Sequence, residues 1–165
     1  MKLISRYPNY ILEGKKVYLF FKNTNQDIEN ILNQSKPDFI QFIYGDTSPL
    51  LANQISVHYN VPIIWQYGVS RELNEDDLNF GEYAFPILDK HSELGGGTGI
   101  SFPWNWITNI KRRYLLAGGL NPNNVQEAIQ KLNPWGLDVA SGVESRPGQK
   151  ESFLIREFVK NVRFK

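Results

Sequence analysis

The sequence predicts an α/β fold built on a parallel sheet. Three observations point there. Short apolar runs alternate with helical patterns along nearly the whole chain. The alternation repeats about every 25 residues, the spacing of right-handed βαβ crossovers. Hydrophobic residues make up 41% and charged residues 21%, near globular averages that argue against disorder.

Each element follows from local signals. Val17–Phe21 is an apolar run after a Gly-Lys-Lys turn and reads as a strand. Asn23-Thr24 can cap a helix carrying Ile28, Ile31 and Leu32 through Gln34. Phe39–Ile43 is a second strand, and Gly45-Asp46 a turn. Ser48-Pro49 pairs an N-cap with proline at the first helical position, opening a helix through Leu50, Leu51, Ile55 and His58. Val61–Trp65 is a third strand, and Leu73–Asn79 a short polar helix.

Phe85–Asp89 is a fourth strand ending in a carboxylate, before the glycine-rich loop Gly95–Gly99. Pro103–Ile107 opens a helix, and Tyr114–Ala117 is a fifth strand ending in Gly118-Gly119. Asn121-Pro122 caps a helix with Val125, Ala128, Ile129 and Leu132 on one stripe. Gly136–Ala140 is a sixth strand ending in Ser141-Gly142. Phe153, Ile155, Phe158, Val159 and Val162 mark a final amphipathic helix.

The 165 residues suit one domain, residues 1–165, of about six βα units. A complete (β/α)8 barrel needs at least ~200 residues, more than this sequence supplies. Net charge is +1, which gives no electrostatic case for nucleic acid or an acidic membrane. No run reaches the ~18 apolar residues of a membrane span, and Met1–Gly14 lacks a secretory pattern, so the expected location is cytoplasmic. Cysteine is absent, which excludes disulfides, thiolate catalysis and Cys-ligated zinc within this sequence. His58 and His91 belong to no ligand spacing, so no metal is expected.

In such folds ligands gather at the C-terminal ends of the strands. Gly118-Gly119 and Ser141-Gly142 fall there, in successive loops. Either dipeptide alone is equally a tight turn. As a pair they offer backbone N–H groups to a phosphate, so a phosphorylated small molecule is the expected ligand. Asp89, at a strand end beside that pocket, is either a general acid or base or a turn residue. Gly95–Gly99 is either a mobile active-site loop or a phosphate cradle, and lacks the Lys-Ser/Thr ending of a P-loop. Trp104 and Trp106 read as packing residues.

Together these motifs resemble the phosphoribosylanthranilate isomerase family of tryptophan biosynthesis. The resemblance runs through 116–125, through 136–144 with Pro147-Gly148, and through 85–89 with Gly96-Gly97-Thr98-Gly99. Asp38–Gln41 with Gly45-Asp46, and the loop Gly68-Val69-Ser70, extend it upstream. It implies a TIM-barrel-like (β/α) fold, here an incomplete barrel of about six βα units, and an Amadori isomerisation without metal or cofactor. Removing strands from a closed barrel leaves two open edges, so a homo-oligomer or a partner chain covering those edges is expected. It also implies Asp89 as general acid, and substrate phosphate held by Gly118, Gly119, Ser141 and Gly142. Gly97 and Asp138 become substrate-binding candidates. The family's first strand carries a cysteine as general base, and that strand and cysteine have no counterpart here. Arg6 loosely matches a family arginine. Tyr44 replaces a histidine, Trp65 a basic residue and Ala140 a serine. The resemblance therefore implies an N-terminally truncated isomerase, either impaired or a pseudoenzyme. The alternatives are a non-catalytic phosphosugar-binding module and a structural half-barrel.

Overall fold

Apolar runs bounded by glycine and proline become strands here because both faces of the sheet are covered. The computed structural model describes residues 3–5, 14–79, 81, 83–90 and 101–163. Its strands are β1 (Leu3–Ser5), β2 (Val17–Phe20), β3 (Phe39–Ile43), β4 (Ile63–Val69), β5 (Phe85–Lys90), β6 (Leu115–Leu116) and β7 (Gly136–Asp138). They form one sheet in the order β1-β7-β6-β5-β4-β3-β2. The strands β2 to β7 are all parallel, an incomplete barrel of six such strands. The helices are α1 (Asn25–Gln34), α2 (Pro49–Tyr59), α3 (Val125–Leu132) and α4 (Ser152–Arg163).

Period-two alternation sorts the strand residues between two layers. Phe20, Ile40, Phe42, Ile63, Trp65, Leu88, Leu116 and Leu137 face outward. There they join Ile28 and Leu32 of α1, Ala52 and Ile55 of α2, Val125 and Ala128 of α3, and Phe158 of α4. The inner face holds Ile64, Phe85, Ile87, Leu115 and Ala117, with Val17, Phe39 and Trp135 packed against them. Phe85 meets Phe39 at 5.8 Å and Trp135 at 5.0 Å between ring centroids, filling the N-terminal end of the interior. The C-terminal end of that face is polar, and the candidate site lies there.

Helix entries follow capping chemistry. Thr24 forms a capping box with Asp27 at the start of α1, and Ser48 accepts from Leu51 N–H ahead of Pro49 in α2. Thr24→Ala is expected to cost about 1 kcal/mol. A urea titration checks this, and an unchanged midpoint would show that the cap adds nothing.

Several elements differ from the sequence expectation. The strand expected over 61–65 starts at Ile63 and runs to Val69, because Gly68 and Val69 pair with Asp89 and Lys90 of β5. The loop expected at 68–70 is therefore largely strand. The segment from Leu73 to Asn79 contributes only a 3-10 turn, Glu75–Leu78, capped by Asn74. Pro103–Ile107 also yields a 3-10 turn, Trp104–Ile107. Its last residue, Ile107, is buried, and beyond it the buried Ile110 donates its N–H to the Ile107 carbonyl at 3.2 Å, which keeps the three-residue spacing. α3 starts at Val125, with Asn124 at the cap position. Asn121 instead braces the preceding turn, accepting from Asn123 N–H at 2.9 Å.

Three strands were not expected at all. β8 (Glu144–Arg146) and β9 (Gln149–Lys150) form a hairpin across Pro147-Gly148, with Gly148 at φ +80. A Pro-Gly dipeptide at the centre of a turn is the signal that was there to be read. β1 pairs antiparallel with β7, Leu3 opposite Asp138 and Ser5 opposite Gly136. The β7 edge, expected to be open, is thus paired, since unpaired strand edges readily recruit backbone partners. β1 and β2 are the edge strands of the described sheet.

Candidate active site

Strand alternation places one residue from each of four strands in the polar end of the interior. Gln41 of β3, Gln66 of β4, Asp89 of β5 and Asp138 of β7 are the buried polar side chains of the described chain. Leu88 pairs with Leu116 and Leu116 with Leu137. One residue further on, Asp89 and Asp138 flank Ala117, two strands apart. Gly68 pairs with Asp89 on the other side. The small residues on either side of Asp89, Gly68 and Ala117, leave space at the strand ends.

Asp89 is 9% exposed and held from both sides. Gln66 Nε2 donates to Oδ2 at 2.8 Å, and Lys90 N–H donates to Oδ1 at 2.7 Å. Gln41 Nε2 donates in turn to Gln66 Oε1 at 2.7 Å, so the amides form a directed chain ending on the carboxylate. Burial pushes the Asp89 carboxyl up to about 6, against the pull of the Lys90 and Gln66 hydrogen bonds. Asp138 is as buried, and its Oδ1 has no hydrogen-bond partner. Burial first, and then the charge of Asp89, raise its carboxyl to about 7, with Lys150 pulling the other way. Two carboxyls titrating near neutrality in one chamber can store and deliver protons.

The two glycine loops meet at this chamber. Gly118 and Gly119 have φ +84 and +65, left-handed values that favour glycine. A side chain at Gly118 would also lie 2.8 Å from Asp89 Oδ1, so this glycine admits the acid. The Gly119 carbonyl accepts from Asn124 Nδ2 at 2.9 Å and from Asn121 Nδ2 at 3.3 Å, which ties the loop to the start of α3. A Cβ on Gly142 would sit 1.7 Å from the Leu120 carbonyl oxygen. That contact is backbone on both sides and cannot relax by a rotamer change. Gly142→Ala is expected to cost about 3 kcal/mol. Gly148→Ala, with positive φ but nothing within 4 Å, should cost about 1 kcal/mol. Equal urea midpoints for the two variants would contradict this reading of the loop contact.

The structure brings together Asp89, Asp138, Gly118, Gly119, Ser141 and Gly142. Gly97, His91 and the rest of 95–99 lie outside the described residues. Trp65 does not take part: it faces the helices, in ring contact with Phe42, and Gln66 holds the inward position. Tyr44 likewise stacks outside, against Trp65 and Tyr67. Trp104 and Trp106 pack against the outer core. His58 ends α2 in edge contact with Tyr59. Gln41 and Gln66 were missed from sequence. Their signal is the same alternation that turns Asp89 inward, with a lone amide interrupting each apolar run. Among the described residues no cluster of three or more His, Asp or Glu is placed to hold a metal.

The family model for N-(5′-phosphoribosyl)anthranilate (PRA) isomerase matches residues 11–161. The chain belongs to this isomerase family. It is 39% identical over 163 residues to N-(5′-phosphoribosyl)anthranilate isomerase of Leptospira interrogans serogroup Icterohaemorrhagiae serovar copenhageni, spanning 98% of this chain and 75% of that one. The crystal structure of phosphoribosyl anthranilate isomerase from Thermotoga maritima is 31% identical, with TM-score 0.74 over 95% of this chain and 75% of that one. A structure of such an isomerase in complex with reduced 1-(o-carboxyphenylamino)-1-deoxyribulose 5-phosphate is 29% identical, with TM-score 0.70 over 95% and 74% of the two chains. Against these isomerases the chain aligns over about three quarters of their length. No helix among its described residues is long and apolar enough to cross a membrane.

Proposed function

We propose that the chain carries out the reaction its family is named for, a cytoplasmic step of tryptophan biosynthesis. N-(5′-phosphoribosyl)anthranilate is converted to its 1-deoxyribulose isomer by an Amadori rearrangement. The observation that carries this reading is Asp89: a buried carboxyl, braced by Gln66 and Lys90 N–H, beside two touching glycine loops.

The chemistry begins with a proton. Asp89, pushed up to about 6, keeps part of its proton population near neutral pH and can give it to the ribose ring oxygen. The C1–O bond then breaks as the anilino nitrogen's lone pair forms the iminium. The C2 proton then passes to a water molecule, since the sequence holds no cysteine to take it, and the resulting enolamine tautomerises to the ketose. Gln66 and Lys90 N–H stabilise the carboxylate that Asp89 becomes. Gly118, Gly119, Ser141 and Gly142 would hold the 5′-phosphate through backbone N–H groups, with no charged side chain crowding the sugar. Asp138, two strands from Asp89, would meet the polar atoms of the substrate from the far side of Ala117.

A phosphorylated small molecule is the partner this reading requires. A second copy of the chain along the β2 edge, where Leu19 is exposed, is the assembly it allows. The test is a fluorescence assay of isomerisation with freshly made phosphoribosylanthranilate. Conversion supports the proposal. No conversion, together with no affinity for the reduced deoxyribulose 5-phosphate analogue, would sink it.

A further inference from the structure

The β8–β9 hairpin folds Lys150 back onto the strand-end loop that precedes it. Glu144 and Lys150 lie opposite each other in the hairpin. Lys150 Nζ donates to the Ala140 carbonyl at 2.7 Å and to Glu144 Oε1 at 2.6 Å. Gly148 N–H donates to the other Glu144 oxygen at 3.1 Å. The Lys150 hydrogen bond, and then that of Gly148, hold the Glu144 carboxyl below the usual range. The ammonium is thus fixed by a carboxylate that the hairpin itself holds in place.

Ala140 directly precedes Ser141 and Gly142. The peptide bond is planar and trans, so the Ala140 carbonyl and the Ser141 N–H point in opposite directions within one rigid unit. A donor fixed on the carbonyl therefore fixes the direction of that N–H. The Lys150 charge also reaches Asp138, where it opposes the upward push of burial. Its ammonium is close enough to the chamber to be felt there.

We propose that Lys150 is a positioning residue for the substrate's phosphate: by holding the Ala140 carbonyl, it aims the Ser141 N–H at the anion. This rests on the phosphate reading of the two glycine loops. It assigns the hairpin a purpose that an exposed ion pair would not have, since such a pair adds little stability by itself.

The experiment compares two probes on the intact chain: the reduced deoxyribulose 5-phosphate analogue and the same compound without its phosphate. Affinities are measured for the parent, Lys150→Met, Lys150→Arg and Glu144→Gln. Lys150→Met should weaken binding of the phosphorylated probe about tenfold. It should leave the dephosphorylated probe within about twofold, and Lys150→Arg should restore most of the loss, since arginine can donate to the same carbonyl. Glu144→Gln keeps the hairpin's shape while loosening the ammonium, and should weaken the phosphorylated probe alone. Equal losses on both probes would mean a general structural role and would overturn the proposal. So would no loss on either probe, or no effect of Glu144→Gln. A parent chain that fails to distinguish the probes would instead overturn the phosphate reading beneath it.

Discussion

Asp89→Asn is expected to lower turnover of phosphoribosylanthranilate by about 10²–10⁴-fold, the usual worth of a positioned acid. The substitution keeps size and shape, and an asparagine oxygen can still accept from Gln66. What it removes is the transferable proton. The parent's pH profile should carry the same signature. Asp89 must be protonated to act, and its carboxyl titrates at about 6, so kcat/KM should fall as pH rises beyond that value. Gln66 donates to the ionised form. Gln66→Leu should therefore raise the Asp89 pKa and move that fall to higher pH. Undiminished turnover in Asp89→Asn, or a flat profile from acid to alkaline pH, would remove Asp89 from the chemistry.

Asp138→Asn should stabilise the fold at pH 8 and leave it almost unchanged at pH 4. The Asp138 carboxyl is raised from 3.8 to about 7 by burial and by the Asp89 charge. The folded chain therefore binds this proton more tightly than the unfolded chain. The stability it contributes is fully present below about pH 4 and is lost as pH rises through about 7. Above that, folding must bury a charge whose Oδ1 has no partner. Every tenfold difference in proton affinity between the folded and unfolded chain is worth about 1.4 kcal/mol, and coupling to Asp89 spreads the effect over the pair, so a gain of about 2–4 kcal/mol is expected. In a domain of this size that is roughly 5–15 °C in Tm. Thermal melts at the two pH values check it. A similar change in Tm at both, or a loss at pH 8, would contradict the burial argument. A stability gain accompanied by weaker substrate binding would identify Asp138 as a residue kept for function against the preference of the fold.

The parts of this architecture that were legible in sequence share one property: their signal is local. Val17–Phe20, Phe39–Ile43 and Phe85–Lys90 are apolar runs closed by turn residues, and Thr24 and Ser48 announce the helices they cap. The approach of Gly118 to Asp89 follows from two strand ends that are neighbours in the sheet. Apart from the β8–β9 hairpin, whose Pro-Gly signal is local, the parts that were missed depend on partners distant in sequence. Trp65 and Gln66 are adjacent, and only the register between β3, β4 and β5 decides which of them turns inward. β1 is three residues long and exists by its pairing with β7. The contact between Gly142 and Leu120, which joins the glycine loops, is likewise invisible until both loops are in space.

The order of the sheet also bears on how the chain assembles. Every parallel pairing, from β2·β3 to β6·β7, joins strands consecutive along the chain. Each can form after closure of a modest loop, and the entropy of loop closure grows only slowly with length. Growth can therefore proceed unit by unit in either direction from a nucleus, and the long β4·β5 register is the natural one. The antiparallel seam between Leu3–Ser5 and β7 is the exception, since it joins the first and last strands of the seven-stranded sheet, Leu3 to Asp138. It has to wait until the rest of the sheet has drawn those strands together, which makes it the last seam to close and the first to open.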